Sequence, residues 1–114
     1  MDEPLNPVSV ERMLLRLIER AEKGAEVCAE REQAYYDANR AYEMALDQAF
    51  LAEDGPIKER EAKSRVATND LREAAEVAKV AHRHSERLHR VVSAAISAYQ
   101  TISGFVKQAY SSGR

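Results

Sequence analysis

The chain has 114 residues, 32% of them charged, with no Trp, two Phe, three Pro and four Gly. That size and composition allow one helix-rich domain with a modest core, and exclude a sheet protein or a disulfide scaffold. The net charge of -2 conceals an asymmetry: residues 1–56 carry 13 acidic and 6 basic side chains, net -7, and residues 57–114 carry 6 acidic and 11 basic, net +5. Opposite halves of this kind favour each other, and argue against the whole molecule being a polyanion binder.

The start, Met1-Asp2-Glu3, is acidic and does not read as a secretory leader, and residues 1–7 are expected to form an N-terminal strap. A single cysteine, Cys28, cannot make an internal disulfide, which fits a reducing cytoplasm. Asn6-Pro7 is a helix start, since Asn caps and Pro at the first helical position loses no needed donor. A first helix is expected over 8–51, without Pro and with one Gly. Residues 52–56, containing Glu53-Asp54-Gly55-Pro56, form the turn. A second helix follows over 57–110, loosened at Ser103-Gly104, before a tail of 111–114. The uncharged stretch Val91–Val106 is too short and too rich in hydroxyl residues to span a membrane.

Apolar or small residues recur at alternating spacings of four and three on both helices. The first arm reads Val10, Leu14, Leu17, Ala21, Gly24, Cys28, Arg31, Tyr35, Ala38, Tyr42, Ala45 and Ala49, broken only by Arg31. The second reads Ala67, Leu71, Ala74, Ala78, Ala81, Ser85, Leu88, Val92, Ala95, Tyr99, Ile102, Val106 and Ala109. This is the signature of an all-α, antiparallel two-helix coiled-coil hairpin. Folding back at Asp54-Gly55 makes facing residue numbers add to 109. Leu14 then meets Ala95, Leu17 meets Val92, Ala21 meets Leu88, Cys28 meets Ala81, Tyr35 meets Ala74 and Ala38 meets Leu71, so bulky faces small.

Beside this seam lies a second apolar ridge: Met13, Val27 and Ala34 on the first arm, with Val77, His84, Val91, Ala98 and Phe105 on the second. Two helices cannot bury so wide a stripe, so the ridge is expected to serve a homodimer, closing a four-helix bundle, with another protein partner as the competing use. His84 within it would make assembly pH-sensitive.

The chemically dense segment is His82–Arg90. His82, Glu86 and His89 share a face at metal-ligand spacing, but the heptad frame puts them outside the seam, where the ordinary reading is a solvated basic face. No cofactor or metal is expected, and no catalytic residue. Arg83, Arg87 and Arg90 form a basic ladder suited to phosphate, and Glu19, Glu22, Glu26 and Glu30 an acidic one. Nucleic acid is not the favoured partner, because no aromatic side chains interleave with the arginines. Cys28 and Ser85 read as small seam residues.

The turn Ala49-Phe50-Leu51-Ala52-Glu53-Asp54-Gly55-Pro56-Ile57-Lys58-Glu59-Arg60-Glu61-Ala62 lacks the Trp-x-Gly of the small helical hairpins exported by type VII secretion. It resembles the turn of small helical proteins of Gram-positive and actinobacterial phages, in which an aliphatic-rich helix ends at a Glu/Asp-Gly pair and Arg-Glu-Ala opens the next. That resemblance implies a phage accessory protein in the host cytoplasm, and carries over no site residues.

Overall fold

A computed structural model describes residues 5–112; residues 1–4 of the expected strap at 1–7 and residues 113–114 of the expected tail lie outside the described residues. The fold is all-helical: α1 over Pro7–Ala52, α2 over Ile57–Ala67 and α3 over Asn69–Ser112, with no strand among the described residues. Asn6 starts α1 as its cap. Its Oδ1 accepts the Ser9 amide at 2.9 Å, and its own amide donates to Ser9 Oγ at 3.2 Å. This reciprocal pair satisfies donors that a helix start leaves over, and Pro7 has none to satisfy. Gly55 reverses the chain with φ of 107°, a conformation that side chains with a Cβ rarely adopt.

The expected second helix is divided. Thr68 separates α2 from α3 with φ -109° and ψ 11°. Its hydroxyl donates to the Ser64 carbonyl at 2.8 Å, and Ser64 Oγ donates to the Glu61 carbonyl at 2.9 Å. Hydroxyls bonded back onto their own helix compete with the backbone ladder and bend it. Ser103-Gly104, by contrast, stays within α3, which continues through Tyr110 to Ser112.

The chain packs as two compact units, one of residues up to Val27 with those from Glu86 onward, the other of Cys28–Ser85. In the first unit the stretches run antiparallel: Glu11 pairs with Lys107 at 3.2 Å, and Gly24 lies against His89. A Cβ at Gly24 would sit 3.4 Å from His89 Nδ1. Val10, Leu17 and Ser103 are the buried residues among those described there. In the second unit the Arg60 guanidinium donates to the Phe50 carbonyl at 3.0 Å and lies 4.3 Å over the Phe50 ring. That single contact satisfies a carbonyl left over at the end of α1 and adds a cation–π attraction. Lys63 reaches Glu59 at 3.3 Å and Glu53 at 3.9 Å, and the Tyr35 and His82 rings stack at 6.4 Å.

On α1 the seam follows the expected positions: each is shielded except Arg31, which is exposed. On the second arm the seam is rotated. Ala67, Leu71, Ala74, Leu88 and Ala109, expected inside, are exposed, while Ser64, Thr68, Ala75 and Ser103 are buried and His82, His89 and Ile96 are shielded. Contact of Gly24 with His89 makes facing numbers add to 113 instead of 109, a slip of one helical turn. The same relation joins shielded residues elsewhere. In the first unit it matches Val10 with Ser103, Leu17 with Ile96 and Ala21 with Val92.

The slip has physical reasons. Buried Ser64, Thr68 and Ser85 each donate to a carbonyl three or four residues back, so their burial leaves no hydroxyl proton unsatisfied. Gly24 leaves room for the His89 imidazole, and a Cβ there would sit 3.4 Å from its Nδ1. Gly24→Ala should therefore raise stability by about 0.5–1 kcal/mol, through helix propensity at a tolerable contact. Gly24→Leu should lower it by about 1–3 kcal/mol through overpacking against His89. Urea denaturation of the two variants measures both signs.

Candidate protein interaction surface

Two paired helices shield one line of contact and little else. Among the described residues only Val10, Leu17 and Ala75 are apolar and buried. The chain exposes 8641 Å². A compact monomer of 12.8 kDa would expose about 6,300 Å². Roughly 2,300 Å² more than a closed core requires therefore faces solvent.

Exposed apolar side chains lie on all three helices, α3 among them. In the first unit Leu88, Val91 and Phe105 are 53%, 65% and 70% exposed, with Ala98 exposed between them. Ala95 and Ile102 are half-buried on the side toward the seam. Met13 and Val27, expected on the same ridge, are half-buried on α1. In antiparallel packing Met13 and Val27 flank the seam on the side of Leu88, Ala95 and Ile102, opposite the flank marked by the Glu11–Lys107 pair. Of the ridge residues in the second unit, Ala34, Val77 and His84 are all exposed, Val77 at 70%.

Sequence periodicity missed Leu88 as a surface residue, because a leucine at seam spacing outranks its histidine neighbour in any hydrophobic count. The available signal was Gly24, whose missing side chain accommodates His89. It missed Leu15 and Val8 as well, which are exposed on α1. It also gave Arg60 no role, although this side chain ties the end of α1 to the start of α2.

The dense segment is arranged differently from the expectation. His82, in the second unit, and His89, in the first, are half-buried and take seam positions instead of outer ones; Glu86 is exposed. His89 Nδ1 is buried without a hydrogen-bond partner. No group of three or more His, Cys, Asp or Glu among the described residues is placed to hold a metal ion. Arg83, Arg87 and Arg90 are exposed along α3, and Glu19, Glu22, Glu26 and Glu30 along α1. Cys28 is half-buried with a free thiol.

The hollows offer little enclosure. One of about 520 Å³ is lined by Arg65, Val66, Asn69, Asp70 and Arg72, all from one stretch around the Thr68 break, so it has no opposing wall. Another of about 260 Å³ near the turn is lined by Tyr42, Leu46, Asp47, Phe50, Glu61, Ser64 and Arg65, a mixture of signs without a convergent catalytic pair. No helix among the described residues is long and apolar enough to cross a membrane. Compared with protein-family models, curated proteins and solved structures, the chain matches none.

The surface makes an asymmetric demand on mutants. Leu17→Ala, at a buried seam position, should cost about 2–4 kcal/mol. Leu88→Ala, at a position half in water, should cost less than about 1 kcal/mol in the isolated chain. Thermal melts at sub-micromolar protein compare the two, and equal losses would put Leu88 inside.

Proposed function

We propose that the chain is a non-enzymatic antiparallel helical hairpin that works by binding protein, and that its first partner is a second copy of itself. The observation that supports this is the row of exposed apolar residues on α3, Val77, Leu88, Val91 and Phe105, beside a core of three buried apolar side chains among the described residues. An apolar helix face of this width is stable in water when another helix covers it. A standard interface takes about 800 Å² from each partner, well within the surplus area. Two hairpins joined by a two-fold axis through this ridge make a four-helix bundle, with the same residues contributed by each copy. The acidic ladder of α1 and the basic ladder of α3 add charge complementarity between copies. With the turn's resemblance to small phage proteins, this reading makes the molecule an accessory factor whose paired form holds a host or phage protein.

A second reading uses Arg83, Arg87 and Arg90 for nucleic-acid phosphate, favoured by the exposure of all three along one helix. It predicts DNA binding that weakens steeply with salt and is lost in the triple alanine variant.

Light scattering during size-exclusion chromatography tests the main reading. At tens of micromolar the chain should elute at twice its 12.8 kDa mass. Val91→Glu with Phe105→Glu should return it to a monomer that keeps its helical circular dichroism. A wild-type monomer at that concentration would overturn self-association.

A further inference from the structure

Within the unit that contains the residues from Glu86 onward, α3 carries two lines at heptad spacing. The first, from His89 through Ile96 to Val106, is shielded and forms the seam with α1. Each of its members is directly preceded by a member of the second line: Leu88, Val91, Ala95, Ala98, Ile102 and Phe105. One residue turns a helix by about 100°. The outer line therefore keeps the alternating spacing of three and four and points nearly at right angles to the seam. A helix at the corner of a four-helix bundle needs two such lines.

The outer line reads alike in both directions, with Leu88 and Val91 at one end, Ile102 and Phe105 at the other, and Ala95 and Ala98 between. Turned end over end about a point between Ile96 and Ser97, it meets itself as Leu88 on Phe105, Val91 on Ile102 and Ala95 on Ala98. The alanines let two helix axes approach where they cross, and the larger side chains fill the space as the axes part. From Val91 to Val106 there is no charged residue, so the middle of such a contact buries no charge. A parallel pairing would set the exposed Arg87 and Arg90 of each copy beside their counterparts. The antiparallel one holds the two Arg87 residues about 28 Å apart along the axis, well beyond the screening length of about 8 Å.

We propose that two copies pair α3 against α3, antiparallel, with the two-fold axis passing between Ile96 and Ser97. The proposal rests on the self-association reading and adds which helix meets which, and in which direction. A standard interface draws on roughly 20–30 residues a side. The outer line is then its centre, and Met13 and Val27, half-buried on the same flank of α1, are its border.

Disulfide trapping between two single-cysteine variants tests it, in a Cys28→Ala background at tens of micromolar protein with copper–phenanthroline as oxidant. Leu88→Cys and Phe105→Cys face each other across the proposed axis, whereas each lies about 25 Å from its own counterpart, beyond disulfide reach. An equal mixture of the two should close to a covalent dimer, and neither variant alone should. Val91→Cys with Ile102→Cys, each about 16 Å from its own counterpart, should behave alike. This second pair serves if the first loses its helical circular dichroism or its dimeric mass. Closure of a single variant as fast as the mixture would mean parallel or random contact and overturn the proposal. Mixtures that are dimeric by light scattering when reduced, yet do not close, would overturn this arrangement and leave self-association standing. A wild-type monomer would overturn both.

Discussion

Everything in this protein follows from a limit on what two helices can enclose. A pair of helices shares one line of contact, and each side chain on that line meets only one opposing surface. A third element is needed to make an interior. Here three apolar residues are buried among the described ones, and Leu17 is the largest of them. Apolar burial supplies the main favourable term in folding, at about 25 cal/mol per Å². A chain that leaves Val77, Leu88, Val91 and Phe105 in water has left much of that term unrealised. Under the proposed self-association, a second copy covering these residues would recover it.

The thin core also explains the polar character of the second arm's seam. In a globular interior Ser64, Thr68, Ser85 and His89 would be costly neighbours. On a single contact line their small size or flat ring allows close approach. Three of the hydroxyls bond to their own helix at 2.7–2.9 Å, so they bring no unmet demand into the contact. Small residues on α1 do the complementary work, with Gly24 making space for the His89 ring. A seam assembled from such layers binds weakly per layer.

Helix α1 was legible almost residue by residue. Its cap at Asn6, its proline at the first position and its shielded positions from Val10 to Ala49 all follow from local chemistry and period. Its exception, Arg31, is exposed, as a long charged side chain without a partner in the seam should be. The second arm was legible as helix but not in rotation. Counting hydrophobic residues chose Leu71 and Leu88, and packing chose Ala75 and His89. The two frames share Ala78, Ser85, Val92, Tyr99 and Val106, so periodicity alone separates them only weakly. The Thr68 break was hidden because alanine, threonine and asparagine at 67–69 contain no strong breaker. The outer ridge was visible in outline at Met13, Val77, Val91, Ala98 and Phe105. Leu88 joined it only when the register was known.

The amino-acid sequence by itself determined that the chain is helical, where it turns, and which face of α1 is inward. Those properties depend on capping, on Gly55 and on a period that each segment carries alone. Only the tertiary structure decided which face of α3 meets α1, because that choice belongs to a pair, Gly24 with His89. No single residue's hydrophobicity encodes a pair. The cost is visible in the leucines left outside.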